Sequence, residues 1–544
     1  MNTAEGLAAV IEAAVSLGAE QVTGLSNAEG ELAAAVSTGA GALPAGDDLR
    51  ALIVAGGDPL GDALCAARSP VERRSLGQTL TPGPIVQSMI DWAVGQAGHT
   101  GPARVVDPGT GSGRFLLAAG RRWPHAELVG VETDPAAAIV ARANLAVAGL
   151  AGRSTVINAD YRTLRLPPAD GPTLYVGNPP YVRHHQIAPD WKRWFTTTAR
   201  QRGLTASALA GLHVHFFLAT VGHAAPGDLG VFITAAEWLD VNYGSLVRSL
   251  LVGDLGGQAV HLLEPTSPVF TDAIVTSAIS CFLPGTSPGA LRLNLAGSPA
   301  ELGALAGGTP AGRTSLTEAH RWGPLFRPAA ESAPQSRRPG NGRQRNGMVE
   351  LGEICRVHRG QVTGANAVWV ADSTENGVPH RFRFPAVTRA RELFAANGVL
   401  TGTTPLRIVI DLPADLGDLA AADRELIGAF IARAARAGAA DGYIARHRRP
   451  WWRVGLTEPA PILASYMARR PPTFVRNLAA ARHLNIAHGL YPRDPLPGPV
   501  LDRLAAYLRG SVSLSQGRTY SGGLTKFEPR EMERLPVPWD DIRA

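Results

Sequence analysis

The feature that most constrains this chain is a short apolar strand, Arg104-Val105-Val106-Asp107, running straight into Pro108-Gly109-Thr110-Gly111-Ser112-Gly113 and then a helical stretch, Arg114 to Arg121. Alternate glycines let such a turn approach a ligand closely, and strand, turn and helix N-terminus together form the entry to a nucleotide-like site at the carboxyl edge of a parallel sheet. The turn alone is ambiguous. The next strand, Glu127 to Glu132, ends about 20 residues on in an acid able to accept hydrogen bonds from both ribose hydroxyls. A dinucleotide enzyme shows the same pair of features, but its fingerprint is G-x-G-x-x-G, whereas the order here is Asp-x-Gly-x-Gly-x-Gly. The leading Asp107 suits a cationic methionine moiety better than a pyrophosphate. Asn158-Ala159-Asp160-Tyr161 follows a third apolar run. Asp160 is either a plain loop acid or the acceptor for the amino group of a cofactor adenine, and its place after Asp107 and Glu132 at successive strand ends favours the second.

A fourth strand, Thr173 to Gly177, delivers Asn178-Pro179-Pro180-Tyr181 to the same sheet edge. An exocyclic adenine amino group is a poor nucleophile because its lone pair is delocalised into the ring. The Asn178 side-chain oxygen and the Pro179 carbonyl are expected each to accept one amino hydrogen and push the nitrogen toward a tetrahedral state, while the prolines stiffen the loop. Tyr181 is expected to stack on a base rotated out of a duplex. The alternative is a Pro-Pro turn with a structural asparagine. No covalent enzyme intermediate is required, since an activated sulfonium leaves mainly in-line positioning to the protein.

At 544 residues the chain exceeds what one core usually supports. Residues 1–69 read as a helical extension, 70–330 as an α/β catalytic and cofactor-binding domain that includes a further strand at Leu229 to Thr234, 331–347 as a polar Pro/Arg/Gly-rich linker, and 348–544 as a separate unit dotted with arginine and aromatics. Cys65, Cys281 and Cys355 have no paired spacing, which argues against a disulfide framework and a structural zinc; no metal site is expected. No run of about 18 apolar residues is present, and Met1 to Glu20 lacks the basic start of a signal peptide, so a cytoplasmic protein without a membrane partner is expected. The net charge of +6 is compatible with a polyanion, and with lysine only at positions 192 and 526 the phosphate contacts would fall to arginine.

These residues resemble the class I, Rossmann-like S-adenosylmethionine-dependent methyltransferases, specifically the gamma subgroup of amino-DNA methyltransferases from restriction–modification systems. In that subgroup the cofactor motifs and Asn-Pro-Pro-Tyr precede a C-terminal target-recognition domain, the order found here. The resemblance implies a mostly parallel twisted sheet followed by a mixed α/β recognition domain. It also implies S-adenosylmethionine held by Asp107, Pro108, Gly109, Gly111, Gly113, Glu132, Asp160, Tyr161 and Asn178. Upstream, Leu76-Gly77-Gln78-Thr79-Leu80-Thr81-Pro82 resembles the family's motif that closes over the methionine part, matching at Gln78, Thr81 and Pro82. Downstream, Pro268-Val269-Phe270-Thr271-Asp272-Ala273 resembles its second aromatic motif. Phe270 is thereby either a sandwich partner for the flipped base or a buried strand-edge phenylalanine.

The C-terminal stretches His358 to Asn366, Pro450 to Arg453 and Tyr520 to Phe527 resemble segments of longer members. Arg359, Arg448, Arg449, Trp451 and Trp452 are the expected DNA contacts there, with Arg183 just after the catalytic tetrapeptide; a charged turn before a core tryptophan anchor is the alternative for the basic cluster. His213 and His215 fall in an apolar helical stretch, Leu209 to Val221, and read as packed or partly exposed histidines. The expected activity is site-specific methylation of adenine N6 in double-stranded DNA by a monomer, with a cognate restriction endonuclease as genetic partner. Three alternatives stay open: methylation of RNA or of a protein glutamine, a DNA-binding module without chemistry, and a fused nuclease. The last is disfavoured because no lysine precedes Lys192.

Overall fold

The short apolar runs of the first half fold as strands because both faces of the sheet they form are covered, so nearly every position can be apolar. In the computed structural model they are β1 (Arg104–Pro108), β2 (Glu127–Glu132), β3 (Ser154–Asn158), β4 (Thr173–Gly177), β5 (Leu229–Ala235), β6 (Gly257–Leu263), β7 (Ser277–Phe282), β8 (Ala290–Ala296) and β9 (Thr309–Gly312). The described residues are 3–36, 46–98, 100–264, 276–319, 321–326, 348–371, 377–520 and 524–544. Phe270 lies outside them.

The strands form one sheet in the order β3-β2-β1-β4-β5-β7-β6-β8-β9. Strands β1 to β5 are mutually parallel, and β7 runs antiparallel to both β5 and β6. The order reverses between β1 and β4, and ligands of such sheets bind in the crevice outside the strand carboxyl ends at that point. Asp107, Glu132, Asn158 and Asn178 all arrive there. Beyond β7 the sheet continues to Gly312, because β8 pairs in parallel with β6 and β9 pairs antiparallel with β8.

The helix Pro135–Val147 has no polar face: Ala136, Ala137, Ile139, Val140 and Ala143 are buried on the side away from the sheet. A helix apolar all round needs cover on both sides. Val10, Ile11, Leu49, Ile53, Leu60 and Leu64 of the N-terminal helices supply it. The cover is locked by Arg142 and Glu29, both with fully buried side chains. Arg142 Nε donates to Glu29 Oε1 at 2.6 Å, and its other nitrogens donate to the carbonyls of Val22, Thr23 and Val156. Thr23 also bridges to Thr155, extending the exposed edge of β3. The N-terminal segment is therefore part of the first of two compact units, Met1–Pro334 and Gln335–Ala544.

The second unit is mixed α/β. A five-stranded sheet joins Cys355–Arg359, Ala487–Pro492, Ile462–Ser465, Phe474–Asn477 and Val399–Leu400, and a four-stranded one is built around Arg383–Val387 and Arg407–Ile410. Met348–Glu350 pairs with Pro536–Pro538, tying the unit's beginning to its end. No helix among the described residues is long and apolar enough to cross a membrane.

Candidate active site

β1 delivers Asp107 fully buried, its Oδ2 accepting from the Thr110 hydroxyl at 3.0 Å and its Oδ1 with no protein donor among the described residues. Burial pushes this carboxyl up to about 8, with the Glu132 charge adding to the effect and the Thr110 hydrogen bond opposing it. An unpaired buried acceptor of this kind is costly unless a cation or donor completes it. Gly177 is obligatory beside it, since a Cβ there would lie 2.5 Å from Asp107 Oδ1.

The glycine turn folds back on β2, with the Gly109 and Thr110 N–H groups both donating to the Val131 carbonyl. Gly109, Gly111 and Gly113 all have positive φ, between 54° and 90°, which side chains disfavour. Glu132 accepts from the Gly111 N–H at 2.9 Å and the Asp134 N–H at 3.0 Å, and burial raises its carboxyl. Asp160 pairs with Arg162 at 2.6 Å. Tyr161 is fully buried, its hydroxyl 3.1 Å from Thr220 Oγ1 and its ring against Phe216.

Asn178 sits half-buried at the end of β4. Its Nδ2 donates to Thr81 Oγ1 at 3.1 Å and to the Thr79 carbonyl at 3.4 Å. Because a carbonyl only accepts, this contact fixes which end of the amide is nitrogen. The Asn178 Oδ1 is buried with no protein donor among the described residues. The tetrapeptide and the glycine turn are neighbours: a Cβ built at Gly109 would stand 3.4 Å from Pro180 Cδ and 3.9 Å from the Asn178 carbonyl oxygen. Gly77 backs the same loop, its φ of 64° and a Cβ position 2.7 Å from the Tyr181 nitrogen admitting only glycine. The half-buried Tyr181 ring meets His213 edge-on, centroids 6.2 Å apart. Burial lowers His213 to about 4, so this wall of the site is neutral. His215 is buried as well.

Two residues outside the sequence reading tie together the loops around this site. Asp58, at the N-cap of the helix Pro59–Ala66, accepts from Ser112 Oγ at 2.5 Å, Arg114 Nε at 2.7 Å, Asn144 Nδ2 at 2.9 Å and the Gly61 N–H at 3.0 Å. Arg114 in turn donates to the Thr81 carbonyl. Arg68 forks onto Asp134 at 2.5 and 2.9 Å and donates to Gln78 Oε1 at 2.8 Å. The segment assigned to an extension thus clips the glycine turn at one end and the Gln78 loop at the other. The only local signal was Asp-Pro at a helix start. Pro82 is the N-cap of the helix Gly83–Gln96.

The donor set fits S-adenosylmethionine: an uncompensated buried carboxyl at Asp107 for a cationic group, acidic Glu132 at the next strand end, and a glycine turn with no side chains to fill the crevice.

The expected DNA contacts divide by environment. Arg183, Arg359 and Arg449 are exposed. Arg359 lies over the Tyr466 ring at 5.4 Å, and Arg449 donates to the carbonyls of its neighbours Arg446 and Arg448. The half-buried Arg448 instead donates to the carbonyls of Val362 and Thr363. Trp451 and Trp452 are half-buried against the core around Trp369, with Trp452 Nε1 donating to the Pro413 carbonyl at 3.1 Å.

Residues 61–252 match the N-6 DNA Methylase family model, and residues 341–544 match the C-terminal domain of the Type II methyltransferase M.Eco57I. The Type II methyltransferase M.XamI of Xanthomonas campestris pv. amaranthicola is 49% identical over 481 residues, covering 88% of this chain and 87% of that one. M.AccI of Acinetobacter calcoaceticus is 20% identical, covering 85% of each. A solved DrdV–DNA complex shares the fold at a TM-score of 0.52 and 11% identity, over 89% of this chain and 56% of that one. Similarity to M.XamI over both units disfavours the RNA and protein-glutamine alternatives. The chain belongs to the restriction–modification N-6 DNA methylases, Type II enzymes that use S-adenosylmethionine.

Proposed function

We propose that this enzyme methylates the N6 amino group of an adenine rotated out of double-stranded DNA at one short recognition sequence. The observation that carries the reading is the Asn178 side chain: its nitrogen is held by Thr79 and Thr81, and its buried oxygen is left as a fixed acceptor. An oxygen so held accepts one amino hydrogen without reorganising, and the Pro179 carbonyl accepts the other. The nitrogen lone pair is thereby localised toward the methyl donor. S-adenosylmethionine, when bound, supplies an already activated methyl group. Asp107 and Glu132 hold its charged and hydroxyl groups, and Gln78 and Pro82 form the covering loop. Tyr181 offers a face for the extruded base beside the uncharged His213.

The second unit is the target-recognition domain in this reading, with Arg183, Arg359 and Arg449 on phosphates. Trp451 and Trp452 brace the surface that carries Arg449. The enzyme acts as a monomer, and its endonuclease partner is genetic rather than physical. Incubating the protein with methyl-labelled cofactor and duplex DNA, then digesting to nucleosides, tests this. Label in N6-methyl-2′-deoxyadenosine alone is expected; label in a methylated deoxycytidine, or none with DNA bound, would contradict it.

A further inference from the structure

Asp160 is engaged more completely than a cofactor-reading acid need be. A carboxylate offers about four acceptor positions. Arg162 fills three of them: its backbone N–H and its Nε each donate to Oδ1 at 2.9 Å, and its Nη2 donates to Oδ2 at 2.6 Å. One position on Oδ2 remains without a donor among the described residues. The Arg162 side chain is only 7% exposed and Asp160 22%, so the free position is on the more open partner.

Arg162 is itself held from two further directions. Its guanidinium carbon lies 3.7 Å from the centre of the Trp191 ring, and its Nη1 is 3.4 Å from His215 Nδ1. His215 stacks on Phe195 at 4.0 Å and an interplanar angle of 7°, and burial, with the Arg162 charge adding, lowers it to about 3. A neutral imidazole can accept from Arg162 where an imidazolium cannot. Trp191 and Phe195 both belong to the helix Pro189–Gln201, which follows the catalytic tetrapeptide. Only a planar fork with a flat face can pair side-on, stack and reach a third acceptor at once, so lysine cannot substitute.

We infer that Arg162, clamped between Trp191 and His215, is a specificity-determining positioning residue: it orients Asp160 so that a single lone pair on Oδ2 reads the amino group of the cofactor's purine. This rests on the assignment of Asp160 to the cofactor adenine. A base with a carbonyl in place of the amino group would face that oxygen with another acceptor, and a site built to receive a hydrogen bond rejects such an analogue strongly. Without Arg162 the carboxylate is free to turn and solvate, and the rejection weakens.

The test is the ratio of dissociation constants for S-adenosylhomocysteine and S-inosylhomocysteine, measured by calorimetry on the full-length protein. The wild-type protein is expected to prefer the adenosyl compound by tenfold or more. Arg162→Ala and Arg162→Lys should bring the ratio to within about threefold of unity, and Trp191→Ala to an intermediate value. Trp191→Ala keeps the test available if Arg162→Ala does not fold. A merely structural arginine would weaken both ligands equally and leave the ratio unchanged, which overturns the inference. No preference in the wild-type protein would overturn it too, and would place the failure in the reading of Asp160 itself.

Discussion

Thr81 Oγ1 lies 3.1 Å from Asn178 Nδ2, so a hydroxyl 97 residues away helps hold the amide of the proposed catalytic asparagine in the direction that the Thr79 carbonyl sets. The resemblance assigned Thr81 to the cofactor-closing motif, and the geometry gives that motif a second task. Thr81→Val keeps the shape and removes the acceptor. It should lower kcat about 10- to 100-fold while cofactor affinity stays within about threefold, and Thr81→Ser should recover most of the rate. Steady-state kinetics with equilibrium cofactor binding checks the split.

Asp107 predicts a pH dependence. With its carboxyl pushed up to about 8, the ligand-free fold retains a proton that the unfolded chain loses near pH 4. The group's contribution to stability is full below that range and is lost as pH rises toward about 8. A bound cation favours the anionic form, so cofactor binding below about pH 8 should release a proton, and affinity should climb with pH up to that point. Calorimetry in buffers of different ionisation heat measures the release. Asp107→Asn should abolish both the release and the slope; a pH-independent wild-type affinity would refute this account of Asp107.

Asp58 predicts that the N-terminal helices serve the cofactor. Its side chain is 6% exposed and gathers Ser112, Arg114 and Asn144. Asp58→Ala leaves these donors unmatched and should destabilise the first unit by about 3–5 kcal/mol. The milder Asp58→Asn should fold yet bind cofactor more weakly, because it removes the charge through which Asp58 holds both Arg114 and Ser112 of the glycine turn. Denaturant melts with and without cofactor separate the two effects.

Adjacent arginines in the second unit should behave differently. Arg448 is tied to the Val362 and Thr363 carbonyls, so Arg448→Ala should cost about 2–3 kcal/mol of stability. Arg449 is exposed, so Arg449→Ala should leave the melt unchanged and lower the salt slope of DNA binding by about 1. Equal effects on stability would contradict the distinction.

Strands β1 to β5 were legible because a doubly covered parallel sheet writes itself as short apolar runs, the first four ended by proline, acid, amide or glycine. The crevice was legible too, since Asp107, Glu132, Asp160 and Asn178 each end such a run. What the sequence concealed was contact made across distance. Asp58 is 54 residues from Ser112, and in one dimension it reads as an ordinary helix cap before Pro59. Arg448 reads as one charge among four neighbours, and only folding brings two carbonyls to it. The clearest missed clue was the helix Pro135–Val147, whose lack of a polar face required a covering layer that only the N-terminal residues supply.

The most direct measurement is modified-base sequencing of DNA from cells expressing the wild-type protein beside Asn178→Ala, together with the cofactor affinity of both proteins. The account predicts N6-methyladenine at one short motif in the first, its loss in the second, and cofactor binding preserved in each. Methylation that survived removal of the Asn178 amide, or that fell on cytosine, would contradict it.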